Sequence, residues 1–235
     1  MSEADYDAVW RAIQEGHLAQ LYIWEAYWLA DTIVRGCDAA SEKTPPIGEF
    51  IKVDAEFFQN LGAVVGAAAR LRALLTERPR DRRRQSALEH EIQIRRARWL
   101  ASDLLHGIKL THIIDAAVRH SLEHFDEYLD RQGLRWLRGQ IAARDGVPMD
   151  MVLSSRQVLR GVLNGADMTL VRVYVGQERR FVNSEDEVDI TALRDEAAGV
   201  RDRLQPLANP GTEPADKRGL FLTFLGPAPK VPLPD

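Results

Sequence analysis

Apolar residues recur at helical spacing through most of the first 145 positions of the chain. The predicted helices span about 4–36, 49–76, 81–105 and 111–131. The first is apolar nearly all round between Leu18 and Val34, as in a helix buried on more than one side. In the second, Gly62 and Gly66 would let another helix approach closely. Four helices joined by short loops predict an antiparallel up-and-down bundle.

The pattern changes at the turn residues 144–148, which predict a boundary near residue 145. Residues 168–175 alternate and are β-branched, and 179–183 follow as a return strand, so a β-hairpin is expected before a helix at about 189–204. Prolines crowd 209–235, where one apolar run, 220–225, should dock on a surface or join the edge of the hairpin. The predicted class is mainly α: a bundle in 1–145, a small hairpin-helix appendage in 146–208 and a proline-rich docking tail in 209–235.

The composition is that of an ordinary globular protein, with 45% hydrophobic and 28% charged residues. Its single cysteine, Cys37, cannot form an internal disulfide, which fits a reducing compartment. No basic and apolar leader opens the sequence, and charges interrupt the most apolar window, 18–34. We therefore expect a cytoplasmic protein that does not enter the membrane.

The net charge of −4 hides a strongly basic segment at 70–98, where ten arginines face four acidic residues. Such asymmetry is a hint of a polyanionic partner. The candidate nucleic-acid-binding residues are Arg82, Arg83, Arg84, Arg95 and Arg96. A solvated, arginine-rich helix surface is an equally good interpretation of the same residues.

One stretch combines a clear helical repeat with groups able to do chemistry: 111–131, THIIDAAVRHSLEHFDEYLDR. Its apolar residues form one broad stripe, and most of its charged residues fall on the opposite side. The chemical candidates are Arg119, His120, Glu123 and His124. His124 lies at the edge of the stripe, where a side chain is held firmly and still reaches solvent.

The spacing Arg-x-x-x-x-His at Arg119 and His124, with polar His120 directly after the arginine, resembles the signature of the HEPN superfamily. The run RHSLEHFDE strengthens the likeness, because such proteins often carry a similar run there. The resemblance implies a four-helix bundle whose motif lies on a late helix, and a homodimer that brings two motifs together. Many members are metal-independent RNases, and some are non-catalytic binding or dimerisation modules.

By resemblance, the reaction would be RNA cleavage by the substrate's own 2′-hydroxyl, without a cofactor or metal. His124 would be the general base, since its pKa suits neutral pH, and Arg119 would hold the phosphate. His120 would orient His124 or act as the acid. Glu123, four residues after Arg119, would hold that arginine in place.

Three other interpretations remain open. His120-Ser121-Leu122-Glu123-His124 also fits the zinc-binding HxxEH motif, with Glu196 as the one roughly placed acidic ligand. The cluster could also be structural, with Arg119 and Glu123 as a surface ion pair and His124 at the edge of the core. Lastly, the chain could belong to a toxin–antitoxin or phage-defence pair, with its tail bound to a separately encoded partner. No phosphate-binding glycine loop, CxxC pair or nucleophile elbow appears in the sequence.

Overall fold

A computed structural model of the chain describes residues 2–15, 18–52, 55–81, 83–115, 117, 120, 125–140, 149–158, 170–183 and 186–208. The helices are α1 (Glu3–Glu15), α2 (Leu18–Glu42), α3 (Ala55–Leu75), α4 (Ala87–Arg98), α5 (Phe125–Leu137) and α6 (Ile190–Ala208). A π-helical turn, Trp99–Leu104, follows α4 directly. The strands are β1 (Phe50–Lys52), β2 (Met149–Leu153), β3 (Val171–Val175), β4 (Arg180–Asn183) and β5 (Asp186–Asp189). The chain is mostly helical, which confirms the predicted class.

The strands form one five-stranded mixed sheet in the order β1-β2-β3-β4-β5. Only the β2–β3 pair is parallel, and the other three pairs are antiparallel. The sequence correctly predicted β3 and β4, but the simple hairpin was wrong. β1 was missed because its three residues also fit the start of a helix, and β5 because the acidic run Asp-Glu-Val-Asp is unlike a typical strand.

Several helix starts differ from the predicted ones for local reasons. The structure has two helices, α1 and α2, where one was expected from residue 4 to residue 36. α4 begins at Ala87 and not at Asp81, because Ser86 and Glu89 form a capping box. Ser86 Oγ accepts a hydrogen bond from Glu89 N at 3.1 Å, and Glu89 Oε2 accepts one from Ser86 N at 2.7 Å.

The first of two compact units contains the described residues of 1–30, 70–109 and 199–208. Its buried core includes Ala26, Tyr27, Leu29, Leu71, Leu75, Leu100 and Leu204. Two side chains of α2 cap the end of α6. Gln20 Nε2 donates to the Leu207 carbonyl and Trp24 Nε1 to the Ala208 carbonyl, each at 2.8 Å. These bonds satisfy carbonyls that a helix end leaves without a partner.

The second unit contains the described residues of 31–69 and 110–198, including the whole sheet. Its core includes Ile33, Val34, Leu61, Val65, Leu153, Val173, Tyr174 and Leu193. α2 and α3 meet closely at Gly36, where an added Cβ would lie 2.2 Å from Val64 Cγ2. Only a glycine fits at that contact without movement of its neighbours.

Two of the predicted features lie outside the described residues: the boundary at 144–148 and the docking tail at 209–235. No helix among the described residues is both long and apolar enough to cross a bilayer.

Candidate functional site

The segment that carries the motif begins its helix after Asp115. Ala117 N donates to Asp115 Oδ1 at 2.9 Å, as a backbone amide does to a capping aspartate. Ala117 and His120 are both helical. Residues 111–114 form a turn in which Ile114 N donates to the Leu110 carbonyl at 3.0 Å. The helix therefore starts later than the predicted Thr111, because Asp115 supplies the cap.

Glu196 of α6 holds the turn that precedes this helix. Its Oε2 accepts hydrogen bonds from two consecutive backbone amides, His112 N at 2.7 Å and Ile113 N at 3.1 Å. The Glu196 side chain is buried, as is Ile113. One buried acidic side chain thus fixes the backbone four to five residues before Ala117, the first described helical residue of the motif segment.

Of the four catalytic candidates, His120 is described, and its side chain is exposed on the helix. Arg119, Glu123 and His124 lie outside the described residues. α5 begins at Phe125, directly after His124. The described neighbours on both sides of the motif are therefore helical.

Two of the five candidate nucleic-acid-binding arginines lie exposed before α4. Arg83 and Arg84 are both exposed, and Arg82 lies outside the described residues. Arg83 N donates to Asp81 Oδ1 at 3.0 Å, and Arg84 Nε lies 3.9 Å from Asp81 Oδ2. The side chain of Arg84 is 89% exposed, so this weak pair leaves it accessible to a polyanion.

Arg95 is already surrounded by carboxylates. Its Nη1 bonds Asp7 and its Nη2 bonds Glu3, both on α1, while Nε lies 2.9 Å from Glu91 on its own helix. The pKa of Arg95 lies above its usual range: burial lowers it, but Asp7, Glu3 and Glu91 raise it by more. Its side chain is 13% exposed. In this arrangement its guanidinium has no open side for a phosphate.

Arg96 is also engaged within the protein. Its guanidinium carbon lies 5.6 Å from the centre of the Tyr22 ring, a cation–π contact. Its Nη2 donates to the Ala73 carbonyl at 3.1 Å. Burial lowers the pKa of Arg96 below its usual range. The candidate nucleic-acid residues thus divide into exposed Arg83 and Arg84 and occupied Arg95 and Arg96.

The second unit contains a small cavity of about 120 Å³ between α2 and α3. Its polar lining comes from Lys43, Glu56 and Asn60, and no sequence-predicted site residue that the structure describes lines it. A nucleotide needs a pocket of at least about 300 Å³. The cavity is therefore too small to be a nucleotide site.

Neither the single cysteine nor a metal cluster offers another reaction centre within the described part of the chain. Burial raises the pKa of the Cys37 thiol to about 12, which suppresses the reactive thiolate. The described residues contain no group of three His, Cys, Asp or Glu side chains that could hold a metal ion. Glu196, the acidic residue considered for a zinc site, is bonded through Oε2 to the backbone amides described above.

Comparisons with known proteins add no relative: no family model, no curated protein and no solved structure matches the chain.

The contacts of several residues that shape these sites were not found by sequence reasoning. Asp115 and the Ser86–Glu89 pair carry local signals, since an acidic or hydroxyl residue before an apolar run is typical of a helix start. Glu196, Glu3 and Asp7 carry none, because their partners are more than 80 residues away along the chain.

Proposed function

We propose that this protein is a metal-independent endoribonuclease of the HEPN type, acting as a homodimer on RNA. The observation that carries the proposal is the Arg119-x-x-x-x-His124 motif with polar His120 after the arginine. It is supported by the Asp115 cap, which starts a helix just before the motif, and by the exposure of His120. The four-helix up-and-down core that the resemblance implies belongs to the same proposal.

The reaction needs no group beyond the chain and its substrate. The base, His124, takes the proton of the 2′-hydroxyl, which attacks the adjacent phosphorus while the bond to the 5′-oxygen breaks. Arg119 binds the phosphate through two nitrogens and stabilises the added negative charge. His120 gives a proton to the leaving oxygen or orients His124, and Glu123 positions Arg119. The products are a 2′,3′-cyclic phosphate and a 5′-hydroxyl.

A second copy of the chain follows from helix geometry. Residues five apart differ by about 140° around an ideal helix. One straight helix therefore cannot direct Arg119 and His124 at one phosphate. Two motif helices that meet across a two-fold axis would solve this, since each copy contributes one of the two groups.

Exposed Arg83 and Arg84, with Arg82 between Asp81 and Arg83 in sequence, would contribute contacts to the RNA phosphates. Arg95 and Arg96 would contribute only after their present protein contacts change. Activity would be confined to the cytoplasm, and a separately encoded antitoxin or phage-defence partner would restrain it. The tail at 209–235 is the segment that this partner would bind.

A non-catalytic HEPN-like module, which binds nucleotides or dimerises, is the second candidate. The observation that favours it is the engagement of Arg95 and Arg96 by protein groups, because it removes two of the expected phosphate contacts. A zinc peptidase is the weakest candidate, since Oε2 of the buried Glu196 is bonded to two backbone amides and leaves only Oε1 to bind a metal.

The test is cleavage of mixed RNAs in excess chelator by the wild type and by the variants Arg119→Ala and His124→Ala. We expect cyclic phosphate and 5′-hydroxyl ends from the wild type, and a loss of about 100-fold or more in each variant. Arg138→Ala, which changes an exposed arginine just after α5, serves as the charge-matched control and should cleave normally.

Circular dichroism and the thermal midpoint establish that every variant is folded. Equal cleavage by all four proteins would identify a contaminating nuclease and overturn the proposal. A wild type that binds RNA or dimerises without cutting would favour the non-catalytic module. Stoichiometric bound zinc would instead favour the peptidase.

A further inference from the structure

One face of α4 combines a cation with an aromatic ring. Arg95 lies in the last turn of α4, and Trp99 follows four residues later at the start of the π-helical turn. Residues four apart share a side of a helix. Glu91, one turn before Arg95, lies 2.9 Å from Nε, and the two terminal nitrogens bond carboxylates of α1.

Helix α1 occupies this face with groups of matching chemistry. Glu3 and Asp7 bind the two terminal nitrogens of Arg95. Trp10 packs edge-to-face on Trp99, with ring centres 5.8 Å apart and planes at 69°. The three occupying residues are spaced i, i+4 and i+7, so they lie along one side of α1.

The occupied groups are those that bind single-stranded nucleic acid. Two parallel N–H donors of a guanidinium match the oxygens of a phosphate as well as those of carboxylates. An indole ring is a surface on which an unpaired base stacks, whatever the base. Glu3 and Asp7 therefore bond Arg95 where the phosphates of a single strand would bind. Trp10 packs on Trp99 where a base would stack.

We propose that the Arg95–Trp99 face is a binding surface for single-stranded nucleic acid, and that α1 closes it in this state as an internal competitor. The inference rests on the proposed function, because it names a second contact and its regulation for the same RNA substrate. The closure by α1 also explains why the guanidinium of Arg95, unlike those of Arg83 and Arg84 in the same basic segment, is enclosed by protein groups.

The contact between α1 and α4 suits an exchange of this kind. Glu3 and Asp7 remain 78% and 50% exposed while they hold Arg95. Val9 is the one buried side chain among the described residues of α1. α1 is acidic, with four carboxylates against one arginine. Exposed ion pairs are weak and screened by salt, so a strand with many phosphates can displace them.

The test measures the affinity of the full chain for a short 2′-O-methyl RNA, which lacks the hydroxyl that the proposed cleavage needs. The releasing variant is Glu3→Gln/Asp7→Asn. Its matched control is Asp5→Asn/Glu15→Gln, which removes the same charge from α1 without touching Arg95. We expect roughly 3- to 10-fold tighter binding by the releasing variant than by the control, from the loss of two exposed ion pairs.

Adding Arg95→Gln to the releasing variant should abolish that gain, and a duplex of the same sequence should show little gain. Equal affinities of the releasing variant and the control would overturn the inference. So would an equal gain on duplex and single strand, because stacking on Trp99 needs unpaired bases. Neither result depends on cleavage, so a failed nuclease test and a failed closure test can be told apart.

A measurement on the wild type covers the case in which the releasing variant does not fold. Backbone amides of residues 3–15 should exchange with solvent faster when the protein is saturated with the 2′-O-methyl RNA. Unchanged or slower exchange in α1 would contradict displacement by the strand.

Discussion

At the scale of single residues, Glu196 is the buried side chain that holds the turn before the motif segment. It is 6% exposed, and removing its acceptor would leave the amides of His112 and Ile113 without partners. We expect Glu196→Leu to lower the free energy of unfolding by about 2 kcal/mol or more, and Glu196→Gln by less, because the amide oxygen can still accept. Urea unfolding measures both.

The control for this prediction is Asp195→Asn, the neighbouring acidic residue, whose side chain is 64% exposed and pairs with Arg194. Its removal should change stability by about 0.5 kcal/mol or less. If Glu196→Leu lowered the free energy of unfolding as little as this control does, the hydrogen bonds from Glu196 to the turn would not be stabilising.

Residue roles could be predicted from the sequence only where the partner is close along the chain. The Ser86–Glu89 capping box has that form, and so does the aspartate before the motif helix. Glu196 instead meets residues 112 and 113, and Arg95 meets residues 3 and 7. Such pairs arise from the fold, and local spacing contains no signal for them.

At the scale of elements, two glycine-to-alanine substitutions, one in α2 and one in α3, are expected to change the stability of the protein in opposite directions. Gly36→Ala would place a methyl group 2.2 Å from Val64 Cγ2, whereas a Cβ at Gly62 has nothing within 4 Å. We expect Gly36→Ala to destabilise the protein by about 1–3 kcal/mol. Gly62→Ala should stabilise it by up to about 1 kcal/mol, because alanine favours a helix.

Thermal or urea unfolding of the two single variants tests this pair, and each is the other's control. The same sign in both would mean that backbone preference, and not side-chain space, governs this contact. The sequence predicted close approach at Gly62 and Gly66; the structure leaves open space at Gly62 and has a close approach at Gly36. Glycine content therefore predicts that helices can meet closely but not which glycine they meet at.

The start of α4 gives a second prediction for an element. Ser86→Ala removes the hydroxyl that accepts from Glu89 N, leaving that amide without its cap. A lost cap of this type costs about 1 kcal/mol, or a fall of about 2–4 °C in the thermal midpoint of a protein of this size. Ser102→Ala, in the π-helical turn, is the control, and its thermal midpoint should fall by less.

Acidic pH should weaken the hydrogen bonds that the Glu89 carboxylate accepts in the same capping box. Hydrogen bonds from the Ser86 backbone and side chain hold the pKa of Glu89 below its usual range. A carboxyl whose pKa is lower in the folded state stabilises above its unfolded pKa, and that contribution disappears as pH falls through the folded value. The effect of Ser86→Ala should therefore shrink at acidic pH.

The elements themselves were predictable to different degrees. Helices were found because an apolar repeat of 3.6 residues persists over many turns, as in α2 and α3. β1 and β2 were missed because each is short and gains stability from its neighbour. Residue 50 pairs with residue 153, a contact that only the assembled sheet reveals. Whether a segment joins the sheet thus depends more on residues far away along the chain than helix formation does.

At the scale of the whole molecule, the proposed nuclease would be a property of two chains, because residues five apart diverge by about 140° on an ideal straight helix. If Arg119 of one copy acts with His124 of the other, a mixed dimer of Arg119→Ala and His124→Ala has one site with both groups intact. Its other site lacks both. The two inactive variants should therefore restore activity when they are mixed.

Random exchange makes about half of the dimers mixed, and one site of each would work, so about a quarter of wild-type activity should return. The measurement is RNA cleavage in chelator after the variants are unfolded together and refolded, with each variant treated alone as the control. Restored activity would require both a dimer and a shared site. A dimer in which mixing restores nothing would mean that each site needs groups from one copy only, or all four groups at once, and the geometric argument for the shared site would be wrong.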